Sequence, residues 1–484
     1  MTRRSVPSVR VAAIVVTAPA LLLTCSLSPA FAADSPGLHT FGPTAVGLPE
    51  LDLSGDPDGG GVDLYLDDGS VDRVTETGLG LFDDNGDGFG RFGSSVAIAD
   101  LNGDRYTDLV VGAPGSDGTN PGHVDVLMGS STGYTVAGST RLTSPAKLGD
   151  EFGAAVVISE GTLWIGAPGT DTVAKDGGAV YRYSISSTGQ ATLASISSEA
   201  DLGGTVEAGE RFGEVLAQAD GGVVVGVPKE NVGSAVAAGQ IVRLRSSGQN
   251  AITSEVWNQN SPGVPGSAES GDHFGAAVSR NGFVVGIPDE DISALTDAGA
   301  VQTFSSAYQS KVMTPGPYET QAVPGNPGTA ESGDRFGASV TVGILECQET
   351  FSMAVGVPGE DIGDVADAGM VAVTTVPSID DNPSCDPRTL AQATGLPGAV
   401  EAGDATGATV ATSTGNPDNE EDRYDVLLIG VPGEDVGTAG SGRNTGRAIL
   451  REGFNGATLA YGASTGDRRD LGYGSVFGAP ESVD

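Results

Sequence analysis

Hydrophobic positions fall in short runs of about five residues, such as Ala179 to Tyr183, Val223 to Val227 and Phe283 to Ile287, each bounded by Gly, Pro, Asp or Asn. The runs alternate with polar residues or are continuously β-branched, as strands with one or both faces buried require. No segment between them repeats apolar residues at helical spacing. The pattern predicts an all-β chain of many short strands joined by tight turns.

The strands belong to a repeat. A Gly-Asp or Gly-Glu, one variable residue, Phe-Gly and a β-branched run recur, with Phe92, Phe152, Phe212, Phe274 and Phe336 in the aromatic slot at intervals of 60, 60, 62 and 62 residues. Thr406 fills the slot 70 residues further on. Each occurrence leads to a Val-rich segment ending in Gly-x-Pro, from Gly112 to Pro114 through Gly430 to Pro432, which makes six full units. Two part-units flank them: Phe41-Gly42 leads to Gly47-Leu48-Pro49, and Tyr473-Gly474 leads to Gly478-Ala479-Pro480. Joined, they make a seventh. Roughly four short strands fit each unit, the size of a propeller blade. Pairing of the two chain ends would close the ring and hide both open edges. Radially packed sheets want small side chains at their contacts, in keeping with 75 Gly and only 5% aromatic residues.

These phrases resemble, across essentially the whole of residues 33–484, the FG-GAP repeats of the integrin α-subunit propeller and its bacterial secreted relatives. The resemblance implies a seven-bladed β-propeller with one blade closed by N- and C-terminal strands. It implies, for function, a calcium-binding extracellular adhesion or ligand-binding module. Because that propeller also carries carbohydrate-active enzymes, a calcium-assisted polysaccharide lyase or glycoside hydrolase is the alternative.

Charge and the N-terminus narrow the setting. Acidic residues number 63 against 24 Lys plus Arg, a net charge of −39, which argues against nucleic acid or an anionic membrane as a partner and favours divalent cations. Residues 1–32 read as a secretory signal: Arg3, Arg4 and Arg10 precede the apolar run from Val11 to Leu23 and the small-residue site Ala30-Phe31-Ala32. That run is shorter than the roughly 20 residues needed to span a bilayer. A secreted monomer without membrane insertion is expected, recognising an extracellular protein or glycan.

The sharpest local motif runs Asp100-Leu101-Asn102-Gly103-Asp104-Arg105-Tyr106-Thr107-Asp108. Oxygen ligands at its first, third, fifth and ninth positions, with the carbonyl of the seventh, match the way Ca²⁺ collects oxygens. The resemblance likewise carries Ca²⁺ onto Asp100, Asn102, Asp104, Tyr106 through its carbonyl, and Asp108. Arg105 departs from the pattern, because that position ordinarily holds Gly for its turn. A solvated hairpin of Asx-turns is the other reading. The acidic stretch 415–425 is a weaker candidate, and Asp83, Asn85 and Asp87 fall where other units carry a plain turn.

Further acids are periodic. Three residues after each Gly-x-Pro proline stand Asp52, Asp117, Asp171, Asn231, Asp291, Asp361 and Asp435, with second acids at Asp176, Asp297 and Asp367. Propeller topology puts them on one face with Asp150, Glu210, Asp272, Asp334 and Asp404. Each either fixes its turn through backbone N–H groups or contributes to a cation or partner site. Cys347 and Cys385, both in the fifth full unit, are expected to form a disulfide in an oxidising compartment. No catalytic constellation stands out, since His39, His123 and His273 lie in different units. The residue before each Phe-Gly varies as Arg91, Glu151, Arg211, His273, Arg335 and Ala405, a ring expected to form inter-blade ion pairs, with His273 the residue an enzyme reading would use.

Overall fold

The computed structural model describes residues 44–478 apart from 50, 52–58, 66–70, 81–89, 116–120, 132, 136–137, 144–146, 247–251, 307–311, 346–350, 377–386, 414–424, 435–445, 453–457 and 463–475. Among the described residues the strands form seven sheets, six of four strands and one of five. Blades are numbered here in chain order, and within each the four main strands are antiparallel neighbours. The sixth adds Gly395–Leu396, paired in parallel with Arg388–Gln392. Among the described residues the named helical elements are Glu76–Leu79 and the 3₁₀ turns Ala200–Leu202 and Arg280–Gly282. The first strands of successive blades touch in order, from Ser95–Ala99 in the second to Thr409–Ser413 in the seventh, which meets Val476–Gly478 of the first. The ring is closed.

Closure uses one C-terminal strand and three N-terminal ones. Val476–Gly478 pairs with Thr44–Leu48, which pairs with Gly61–Tyr65 and then Val71–Val74. Val476 lies opposite Gly47, just as Val215 lies opposite Gly226 and Ser95 opposite Gly112. In the complete units that pairing joins the third residue after the aromatic slot to the Gly of Gly-x-Pro. Val476–Gly478 and Gly47-Leu48-Pro49 therefore serve one and the same blade, with Gly478 ending its first strand, and Tyr473-Gly474 and Ala479-Pro480 lie outside the described residues. Phe41-Gly42 lies outside the described residues.

The two halves of the repeated phrase meet across every described blade junction of the complete units. A Cβ on Gly112, Gly166, Gly226, Gly286 or Gly356 would fall 2.1, 2.0, 2.1, 2.0 or 1.9 Å from the carbonyl oxygen of Gly153, Gly213, Gly275, Gly337 or Gly407 in the next blade. The Gly of Gly-x-Pro thus packs on the Gly of the following Phe-Gly, and backbones approach where any side chain would hold them apart. Phe92, Phe152, Phe212, Phe274 and Phe336 are fully buried beside these contacts. The loop between second and third strands also runs along the start of the next blade, where Arg211 N–H donates to Asp176 C=O at 3.0 Å and Phe212 N–H to Gly177 C=O at 3.2 Å. Acids from two loops are thereby brought to one place.

Candidate functional site

The acidic loop joins the first and second strands of the second blade, Ser95–Ala99 and Asp108–Ala113. Its own side chains shape it. Asp100 Oδ1 accepts the amides of Gly103 and Asp104 at 2.7 and 3.0 Å, and Oδ2 accepts that of Arg105 at 2.8 Å. Asn102 Oδ1 takes the Asp104 amide and Asp104 Oδ1 the Tyr106 amide, both at 2.8 Å. Asp108 is buried, accepting Leu101 N–H at 2.7 Å and Gly129 N–H at 2.8 Å on its two oxygens. Burial pushes its pKa up to about 6, and the Asp104 and Asp100 charges add to the rise. Arg105 holds φ 77°, the left-handed conformation that Gly adopts without strain. The departure noted in the sequence leaves the turn in place and strains it.

At the described positions, two of the three periodic sets fix turns with their side chains, whereas Asp176, Asp297 and Asp367 supply the amides that the first set accepts. Asp171, Asn231, Asp291 and Asp361 accept the amides of Asp176, Ala237, Asp297 and Asp367 at 3.1, 2.9, 3.0 and 3.0 Å. Asp150, Glu210, Asp272, Asp334 and Asp404 each accept the amide three residues earlier, at 2.9, 2.6, 2.6, 2.5 and 2.7 Å. Asp52, Asp117, Asp435, the stretch 415–424, Asp83, Asn85, Asp87, His39, Cys347 and Cys385 lie outside the described residues.

The six residues before the aromatic slot share a strained backbone, with φ between 52° and 62° from Arg91 to Ala405. Ion pairs link several across blades. Arg211 bonds Glu151 at 2.5 Å and Glu214 at 3.0 Å, while Asp289 accepts His273 Nδ1 at 2.7 Å and Arg335 at 2.9 Å. Burial works to raise the Asp289 pKa, but the hydrogen bond from His273 and the charge of Arg335 hold it below the usual carboxylate value. His123 Nε2 lies 2.7 Å from Glu76 Oε1, and Arg141 bridges Glu76 and Asp125, balancing the charge of that cluster.

A second series of acids finds its partners only in three dimensions. Two residues after the Gly-x-Pro proline, blades four to seven carry Glu230, Glu290, Glu360 and Glu434, all buried or nearly so. In three of the four, a Gln from the crossover into the blade donates to the carboxylate: Gln259 to Glu290 at 2.7 Å, Gln321 to Glu360 at 2.6 Å, and Gln392 to Glu434. Tyr318 O–H adds a 2.8 Å bond to Glu290, and Arg447 lies 3.0 Å from Glu434. Burial raises Glu290 and Glu360 to about 7 each, against the pull of those donors. In the fourth blade the crossover residue is Glu199, so Glu230 meets a carboxylate where its counterparts meet an amide.

The FG-GAP repeat family matches residues 92–138, the stretch holding the second blade's first aromatic slot, its acidic loop and its Gly-x-Pro. Integrin alpha-IIb of Mus musculus and of Homo sapiens are each 38% identical to the chain over 102 residues, 19% of it. The chain is a seven-bladed β-propeller that resembles the FG-GAP propeller of integrins. It spans 9% of the length of each of those relatives. A solved Bacteroides uniformis structure described as a candidate 6-phosphogluconolactonase superposes on the FG-GAP propeller with TM-score 0.46 at 10% identity, over 90% of this chain and 98% of that one. A Lactobacillus plantarum protein does so with TM-score 0.43 at 8% identity, over 92% and 100%. No helix among the described residues is long and apolar enough to cross a membrane.

Asp100, Asn102, Asp104 and Tyr106 lie in the loop between the second blade's first and second strands, and Asp108 opens the strand that follows. The Glu230, Glu290, Glu360 and Glu434 series escaped the reading of the sequence, although its Pro-x-Glu spacing is visible there. Its crossover partners stand at unequal distances from the aromatic slot that follows them, 13 residues for Glu199, 15 for Gln259 and Gln321, and 14 for Gln392, so no fixed period exposes them.

Proposed function

We propose that this FG-GAP propeller works outside the cell as a calcium-dependent adhesion or ligand-binding module for an extracellular protein or glycan. The observation that carries the reading is that the FG-GAP family match, residues 92–138, encloses the whole loop Asp100–Asp108. Asp100, Asn102, Asp104 and Asp108, with the Tyr106 carbonyl, would hold the ion. Their oxygen-only donor set and the curled backbone around Asp100 fit a hard cation. Bound Ca²⁺ would supply positive charge to offset clustered carboxylates and fix the loop against the strain at Arg105. The apolar segment of residues 11–23 ahead of Ala30-Phe31-Ala32 supports export, and the net charge of −39 supports a partner that is neither nucleic acid nor anionic lipid.

The test is a glycan and host-surface binding array on the exported protein, repeated in EDTA and again after Ca²⁺ is restored. Binding that disappears with chelator and returns with calcium is expected. Binding indifferent to EDTA would overturn the reading, as would turnover of a polysaccharide, which would favour a calcium-assisted lyase or hydrolase instead.

A further inference from the structure

The fourth blade breaks the pattern of its neighbours in one respect. Glu199 and Glu210, from the crossover out of the third blade, and Glu230, from the loop between second and third strands, bring carboxylate oxygens within 4.8 Å of one another. The three are 5%, 1% and 7% exposed. Gln240 Nε2 donates to Glu199 Oε1 at 2.8 Å, and the Glu207 amide donates to Glu210 Oε2 at 2.6 Å. One oxygen of each residue is left over: Glu199 Oε2, Glu210 Oε1 and Glu230 Oε2 are buried without a hydrogen-bond donor. Glu207 Oε2, beside them in the same crossover, is buried and unpaired as well.

The sister blades place an amide where the fourth has a third carboxylate, although Oε1 of Gln259, Gln321 and Gln392 is itself buried without a donor. There a Gln amide meets the Glu carboxylate, helped by Tyr318 in the fifth blade and Arg447 in the seventh. The Glu76, His123 and Asp125 cluster likewise has Arg141 within it. The fourth-blade niche has no Gln at the crossover position and, among the described residues, no cationic side chain bonded to its three acids. Burying several carboxylates without a counter-charge is costly, and a desolvated unpaired oxygen costs more than a solvated one.

We propose that Glu199, Glu210 and Glu230 form a second divalent-cation site, distinct from the Asp100–Asp108 loop, that takes Ca²⁺ or Mg²⁺ through the unpaired carboxylate oxygens and ties the third blade to the fourth. Carboxylate oxygens alone select a hard cation over zinc or copper. The site stands on the exchange of Gln for Glu199 and on unpaired oxygens, and does not depend on the loop binding calcium.

Equilibrium dialysis of the full chain against Ca²⁺, and separately Mg²⁺, tests it. Glu199→Gln installs the residue of the sister blades and is expected to fold normally while binding one equivalent fewer than the unsubstituted chain. Asp104→Asn tests the loop separately, and if both sites exist the combined variant binds two fewer. Glu230→Gln provides a second removal from another loop, should Glu199→Gln misfold. In EDTA, Glu199→Gln should melt at or above the temperature of the unsubstituted chain, because a crowded carboxylate has gone. A Glu199→Gln protein that binds as many equivalents of both ions as the unsubstituted chain overturns the proposal, whatever Asp104→Asn does. One equivalent lost in Glu199→Gln and none in Asp104→Asn would keep the niche and remove the loop.

Discussion

Gly166 of the third blade and Gly213 of the fourth meet so closely that a methyl group on Gly166 would lie 2.0 Å from the Gly213 carbonyl oxygen. The obstacle is backbone on both sides, so no side chain can rotate away. Gly166→Ala is therefore expected to cost about 1–3 kcal/mol or more, as overpacking does, and to lower the urea midpoint markedly. Gly161→Ala, where a Cβ meets nothing within 4 Å but φ is 68°, should cost only about 1 kcal/mol from backbone conformation. Equal losses in the two variants would show that blade contact is not what the motif protects.

Arg211 combines two opposing terms. Its ion pair with Glu151 in the preceding blade is partly exposed and worth about 0.2–1 kcal/mol, while its φ of 62° strains a residue with a side chain. Arg211→Gly removes both, so its net effect on thermal unfolding should be smaller than that of Arg211→Ala, which loses the pair and keeps the strain. A larger loss for the Gly variant would mean that the ion-pair network outweighs the backbone.

Within the acidic loop, two substitutions separate metal binding from scaffolding. Asp108 supports the buried amides of Leu101 and Gly129, so Asp108→Asn should weaken calcium binding and also lower stability in EDTA, by about 1–3 kcal/mol for a disturbed buried acceptor. Asp104 makes exposed contacts, and Asp104→Asn should reduce calcium affinity while leaving metal-free stability nearly unchanged. Calorimetric titration with parallel melts in chelator checks both. Unaltered affinity in the two variants would remove the loop as a calcium site.

Stability should also depend on pH through the Glu-Gln niches. Burial holds the folded pKa of Glu290 and of Glu360 at about 7, above their ordinary value of 4.5. Between those values the folded chain keeps protons that the unfolded chain has released, so stability falls as pH rises through that window. Urea midpoints in chelator should decline from about pH 5 to about pH 7, and Glu290→Gln with Glu360→Gln should flatten the decline. A slope unchanged by the double variant would assign the dependence to other groups.

Much of this was legible in one dimension. Phe92, Phe152, Phe212, Phe274 and Phe336 mark the blades by their spacing, and the acidic loop after Ser95–Ala99 is visible because its oxygen-bearing residues are close in sequence. The closing register was only half legible: both end fragments resemble the repeat, but only the pairing of Val476 with Gly47 joins the C-terminal strand to Thr44–Leu48 in one blade. Glu199 and Glu230 stand 31 residues apart on different loops, and nothing local to either predicts that they meet.

Local chemistry, repeated at near-constant intervals, was enough by itself to specify strands, turns, blade number and the acidic loop, since each depends on residues a few positions apart. Which glycines touch, which carboxylate finds an amide and which finds another carboxylate were decided by tertiary structure. Those contacts form between adjacent blades or between loops of one blade, where radial packing rather than sequence distance sets what lies next to what.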